Sequence, residues 1–219
     1  MKTRKVPVLM VKAIFIVTVM VTGFMAFAAE TAEEGAKFKI LEVPLYAQQT
    51  PKWCWAAGGE MIMTYWGLEV PQCMQANTGS KRSDCCRIPR PGTCGETSRY
   101  PDFENYGFKY ECSDKALAWD ELVNQMEFRN PVGFSWEFTD LDRKSGGHYM
   151  AARGYILLND IKLVIVNDPS PWNKCKCQGG SFKIISYSDY VEYPARYTHG
   201  YDDYDFKTEP VQDSVKKGK

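Results

Sequence analysis

Apolar side chains recur at two different periods along this chain, and the change from one to the other divides it. Phe38 to Leu45 (FKILEVPL) is a short apolar run with Pro44 near its end, which predicts an edge strand. Trp55, Ala56, Ala57, Met61, Ile62 and Tyr65 then repeat at helical spacing until Gly67, predicting a helix that begins at Cys54. The stretch from Gly79 to Gly95 is rich in Pro, Gly, Ser and Arg and has no hydrophobic period. A second helix is expected to place Trp119, Leu122, Val123 and Met126 on one face, with Ser113 as its N-cap and Asn130-Pro131 ending it. Beyond that point the pattern becomes that of strands: Val132 to Phe138, Tyr149 to Leu158, and Ile161 to Val166, the last two joined by a tight turn at Asn159-Asp160. Ser181 to Tyr187 adds another. Helices first and antiparallel strands afterwards is an α+β order.

The two ends read differently. Lys2, Arg4, Lys5 and Lys12 precede an apolar run from Ala13 to Phe27, and Ala26 and Ala28 supply the small residues expected before a cut. Residues 1–28 are therefore expected to be a signal peptide, cleaved between Ala28 and Ala29. The apolar run is short for a membrane span of about 20 residues. A folded domain is expected over residues 38–200, and Tyr201 to Lys219 reads as a polar, mobile tail. Asp202, Asp203 and Asp205 lack the spacing and glycine of a calcium loop and read as a solvated charge run.

Composition narrows the class. With 219 residues, 44% of them hydrophobic and 14% aromatic, the chain is globular rather than disordered or fibrous. Its 27 basic and 27 acidic residues balance, and signal cleavage would leave 23 against 27. No basic surplus is left to track phosphates, so nucleic acid is not an expected partner.

Eight cysteines, Cys54, Cys73, Cys85, Cys86, Cys94, Cys112, Cys175 and Cys177, are many for a domain of this size, and export would place them where disulfides persist. Bridges are the expected use for most, because the segment holding Cys73, Cys85, Cys86 and Cys94 needs staples to hold one shape. Their connectivity is not readable from sequence. Zinc is disfavoured by only two histidines and by the absence of CxxC spacing. With Cys54 set aside seven remain, and an odd number leaves one free or intermolecular.

Cys54 stands out chemically. It opens a helix, where the macrodipole favours thiolate, and it follows a loop bearing Gln48 and Gln49. A base is needed, and only His148 and His199 exist. His148 follows Ser145-Gly146-Gly147 at the start of an apolar strand, where close approach is possible, while His199 reads as a surface or turn residue beside the polar tail. Asn167 and Asp168 compete for the place that orients the imidazole. In an ideal hairpin turning on Asn159-Asp160, Asn167 shares the face of His148; a single bulge hands that place to Asp168.

These residues resemble the papain-like cysteine peptidases. Gln48, the run Cys54-Trp55-Ala56, His148 followed by Gly154-Tyr155, and Asp168-Pro169 are similar, in that order, to the motifs of the compact bacterial branch related to bacteriocin-leader-processing peptidases. The likeness covers roughly Val43 to Val191. It implies a papain-like fold in which a helical part carrying the nucleophile helix packs on a C-terminal antiparallel sheet. It also implies Cys54 as nucleophile, His148 as general base and then acid, Asp168 in preference to Asn167 as orienting carboxylate, and Gln48 in preference to Gln49 as oxyanion donor. Peptide or protein substrates follow, with no cofactor or metal and no stable membrane association after signal cleavage. Transglutaminase-like acyl transfer on the same residues, and a non-enzymatic disulfide-stabilised binding domain, are the alternatives. The expected location is secreted or periplasmic.

Overall fold

Alternating segments assemble into one antiparallel sheet in the computed structural model, which describes residues 35–89, 93–94, 100–139, 146–171 and 178–208. The strands are β1 (Lys37–Ile40), β2 (Phe108–Ser113), β3 (Val132–Phe138), β4 (Gly147–Leu158), β5 (Ile161–Asp168), β6 (Ser181–Ser186), β7 (Glu192–Tyr193) and β8 (Tyr197–Thr208). Their order is β2-β8-β3-β4-β5-β6, with β1 also on β4 and β7 on β8. Helices α1 (Cys54–Tyr65), α2 (Gln72–Ser80), α3 (Trp119–Glu127) and α4 (Tyr187–Val191) accompany it, so the class is α+β as expected. The residues of the expected signal peptide lie outside those described.

The long strand β4 organises the sheet. Its first half pairs with β3, Trp136 opposite His148 and Val132 opposite Ala152, and its second half pairs with β1, Ile40 opposite Gly154. Along its other edge runs β5, joined through Asn159, which takes the positive φ that a two-residue hairpin turn demands. This hairpin is not regular. Gly154 stands opposite Ile165 but Ala152 opposite Val166, so Arg153 is an extra residue on β4. Every residue of β4 before Arg153 is thereby turned over relative to β5.

Helix α1 seats against β3 and β4 through two glycines. The Tyr149 ring lies where a Cβ on Gly58 or on Gly133 would fall, 2.4 Å from its Cδ1 in the first case and 1.8 Å from its hydroxyl in the second. Small residues there let the helix and the strand approach until Cys54, first in α1, meets His148, second in β4. The main core gathers Met61, Ile62 and Met63 of α1 with Leu122 and Met126 of α3 and with Phe134, Met150, Val164 and Val166 of the sheet. A smaller cluster joins Trp53, Trp55 and Ala56 to Tyr149, Tyr201, Ala76 and two of the bridged cysteines, Cys85 and Cys94.

Three expectations differ from the structure. Ser113 does not cap a helix; it ends β2, and its hydroxyl exchanges hydrogen bonds with Lys115 while α3 starts at Trp119. Helix α2 is absent from the hydrophobic pattern because the face it buries is Gln72, Gln75 and Ala76, two amides rather than an apolar stripe. Residues 201–208 are not a mobile tail, since they continue β8 between β2 and β3. Asp202 and Asp203 are 0% and 1% exposed, because partners replace water: Leu117 N–H, Tyr190 hydroxyl and His199 on Asp202, and Tyr149 hydroxyl on Asp203.

Adding one methyl group at the α1–β4 contact is expected to cost about 1–3 kcal/mol by overpacking. Gly58→Ala should lower the urea midpoint without changing the m-value, measured by equilibrium unfolding.

Candidate active site

Cys54 is the first residue of α1, and no side chain caps that helix terminus. Its thiol is unbridged and hydrogen-bonded to the His148 side chain, and it receives the backbone N–H groups of Trp55 and Tyr149. The thiol therefore lies where the start of α1 meets the start of β4. His148 uses Nε2 on Asp168, at 2.6 Å from Oδ1, which leaves Nδ1 for the sulfur.

The bulge at Arg153 explains this arrangement. An unbroken hairpin puts Asn167 on the face of His148; the extra residue puts Asp168 there instead. Asn167 points the other way and donates from Nδ2 to the carbonyls of Val43 and Pro44. Arg153 itself donates to Leu41 O and Val43 O, so the segment leading to Gln48 is strapped to β4 and β5 at the bulge.

Asp168 is fixed at both oxygens. Oδ1 also accepts from Ser170 N–H at 2.8 Å, and Oδ2 pairs with the Lys183 ammonium from β6. Lys183 is a residue that the sequence did not single out. Its only signal is position in a strand following Asp168, and the pairing of Val166 with Lys183 is needed to bring it near.

Charge in this site is settled by neighbours against burial. Burial alone pushes the Cys54 thiol up, but the hydrogen bond and charge of His148 and the two N–H groups outweigh it, so the thiol ends below its ordinary value. For His148 burial works downward, and the hydrogen bonds and charges of Asp168 and Cys54 raise it to about 9. Burial raises Asp168, and His148, Lys183 and Ser170 together hold it below the usual carboxylate range. A lowered thiol beside a raised imidazole favours the thiolate–imidazolium form of the pair.

Gln48 is buried in the loop before α1. Its amide donates to Thr50 O at 2.9 Å, and Trp53 N–H shares the same acceptor at 3.3 Å, one residue before Cys54. Its backbone N–H donates to Pro169 O at 3.0 Å, so the Gln48 loop and the Asp168 turn are tied directly. Gln49 is the less buried of the two glutamines.

The other candidates are occupied elsewhere. His199, expected at the surface, places Nδ1 on Tyr190 O at 3.0 Å and Nε2 on Asp202 at 2.9 Å, which makes it part of the β8 network. Cys73 bridges Cys86 and Cys85 bridges Cys94, while Cys112 is free. Burial and the nearby Asp203 push the Cys112 thiol up to about 11, so it is a poor nucleophile. Cys175 and Cys177 lie outside the described residues. Among the described residues, one group has the ligand spacing for a metal ion, Asp84 with Cys85 and Cys94, and those two sulfurs are joined in a disulfide.

Removing the imidazole leaves burial at the thiol opposed only by the N–H groups of Trp55 and Tyr149. His148→Ala is expected to move the acid limb of Cys54 alkylation by iodoacetamide upward, past the ordinary thiol value of about 8.5, whereas the wild-type thiol is expected to react at pH 6. Peptide mapping of the alkylated residue across pH 5 to 10 measures it; identical profiles would contradict the pairing.

The Peptidase_C39 like family matches residues 40–187, about two thirds of the chain. Among solved structures, the chain is similar to the peptidase domain of Streptococcus ComA, a bi-functional ABC transporter involved in a quorum sensing pathway. Identity is 15%, coverage is 75% of this chain and 98% of that domain, and the TM-score is 0.44. No curated protein matches. The extent of the family match identifies the chain: it belongs to the Peptidase_C39 like family, papain-like cysteine peptidases related to those that process bacteriocins.

Proposed function

We propose that this protein is an exported thiol peptidase that hydrolyses peptide bonds through an acyl-thioester on Cys54. The observation that carries the reading is the unbridged Cys54 thiol bonded to His148, whose other nitrogen is held by Asp168. Thiolate attack on the scissile carbonyl forms the carbon–sulfur bond and moves the carbonyl electrons onto oxygen. His148, protonated by the thiol, gives its proton to the leaving amine as the carbon–nitrogen bond breaks. Water, deprotonated by the now neutral His148, releases the acid and restores the thiol.

The oxyanion needs donors in place before it forms. Gln48 spends one amide N–H on Thr50 O; the second, with the Cys54 backbone N–H, is the pair assigned to that charge. Asp168 keeps the imidazole in the tautomer and rotation the sequence of steps requires, and Lys183 keeps Asp168 ionised.

Export is supported by the basic and then apolar start of the chain and by two disulfides in the described residues. No helix of the described residues is long and apolar enough to cross a membrane. Edman sequencing of the exported protein should begin at Ala29; a chain that begins at Met1 would reverse this part of the reading.

A proteome-derived peptide library should return cleaved products for wild type and none for Cys54→Ala. Gln48→Ala is expected to lower kcat by about 10²–10³. Incorporation of an added amine in preference to hydrolysis would favour acyl transfer instead.

A further inference from the structure

Gln72 is the first residue of α2, follows Pro71, and is wholly buried. Both polar atoms of its amide are used. Nε2 donates to Ala47 O at 2.9 Å and to Glu60 Oε2 at 3.1 Å, and Oε1 accepts from Gln49 N–H at 2.8 Å. The assignment of oxygen and nitrogen is internally forced, because the reverse orientation sets a carbonyl against Ala47 O and an N–H against the Gln49 N–H.

Two of these bonds flank Gln48 on its own backbone, and Pro169 O holds the Gln48 N–H between them. The third reaches Glu60, which is 1% exposed on α1, the helix that carries Cys54. One amide thus refers the Gln48 loop to the nucleophile helix. An oxyanion hole built from two elements works only if donors from both aim at one point, and a displacement of about 1 Å is enough to lose much of the rate.

Helix α2 is suited to hold such a reference. Gln75, one turn on, donates to Ala56 O in the first turn of α1. Cys73, next to Gln72, bridges Cys86, and Asn77 accepts from the Cys85 N–H. The Cys94 carbonyl, fixed by the Cys85 bridge, accepts from the Trp53 indole at 2.6 Å. The stapled segment therefore touches the stretch from Ala47 to Ala56 at four places.

We propose that Gln72 is a positioning residue for the oxyanion hole: its amide locks the Gln48 loop in register with α1, so that Gln48 and the Cys54 N–H converge on the same oxygen. This inference rests on the peptidase reading of Cys54 and Gln48 and extends it to a residue in the cysteine-bridged helix.

The test contrasts two reactions at the same sulfur in the full-length exported protein. Acylation by p-nitrophenyl acetate passes through an oxyanion, and alkylation by iodoacetamide does not. Gln72→Met, which keeps the length and removes the amide, is expected to slow acylation by about 10- to 100-fold and to leave alkylation at pH 6 within about twofold of wild type. In a Gln48→Ala background, Gln72→Met should add no further loss, since its effect runs through Gln48. Gln72→Glu keeps the acceptor for Gln49 N–H but sets a carboxylate oxygen against Ala47 O and Glu60, so it should lose at least as much as Gln72→Met.

Acylation unchanged in Gln72→Met, a parallel fall in alkylation, or losses that multiply with Gln48→Ala would each overturn the proposal. Should Gln72→Met fail to fold, Gln72→Glu acylating at the wild-type rate would overturn it. If wild type neither acylates nor cleaves peptides, the peptidase reading fails instead. The positional claim is then decided by ¹⁵N spectra: the Gln48 backbone and side-chain amide signals should shift or broaden in Gln72→Met while that of Cys54 holds, and unchanged Gln48 signals would sink it.

Discussion

A half-buried thiol and a half-buried imidazole are drawn toward their charged forms in this protein because each has the other beside it and the imidazole also has Asp168. Burial opposes the charged form of both, and it is the largest single influence on each. The pair overcomes it together with Asp168, which is itself kept charged by Lys183 and by the Ser170 N–H. The resulting row of groups runs from the start of α1 across β4 and β5 to β6. Remove the contact between α1 and β4 and the thiol and the imidazole lose each other, while Asp168 keeps Lys183 and the Ser170 N–H.

Much of the fold can be understood as keeping that contact short. Gly58 and Gly133 vacate the space that the Tyr149 ring fills, and the Tyr149 hydroxyl is anchored on Asp203 of β8. Tyr149 also lends its backbone N–H to the Cys54 sulfur. A single aromatic residue beside His148 thus joins the nucleophile helix, the histidine strand and the buried acids of the sheet. Burial pushes Asp203 up to about 7, which suits a carboxyl placed among Tyr149 and the Cys112 thiol with little water.

The segment from Gln72 to Cys94 solves a different problem. It has few apolar side chains to bury, and a stretch of that composition does not hold a shape by hydrophobic packing alone. Two disulfides and the amides of Gln72 and Gln75 do the work that a core would do elsewhere. Such bonds are directional, so the segment is fixed relative to the Gln48 loop more sharply than an apolar contact would fix it.

Short-range physics made the strands β3 to β6, the helix at Cys54 and the tight turn at Asn159-Asp160 readable in the sequence, because alternation, helical spacing and turn residues act over a few positions. The order of Gln48, Cys54, His148 and Asp168 was readable too, as a resemblance. Three matters were not. Whether Asp168 or Asn167 faces His148 depends on one inserted residue, Arg153, whose bulge is stabilised by contacts with Leu41 and Val43 more than a hundred positions away. Asp202 and Asp203 look solvated until Leu117, Tyr149, Tyr190 and His199 converge on them. Lys183 and Gln72 acquire meaning only when β6 and α2 are placed beside Asp168 and Gln48. Periodicity reports which side chains avoid water; it carries no information about which buried polar groups will find one another, and that was left to the tertiary structure.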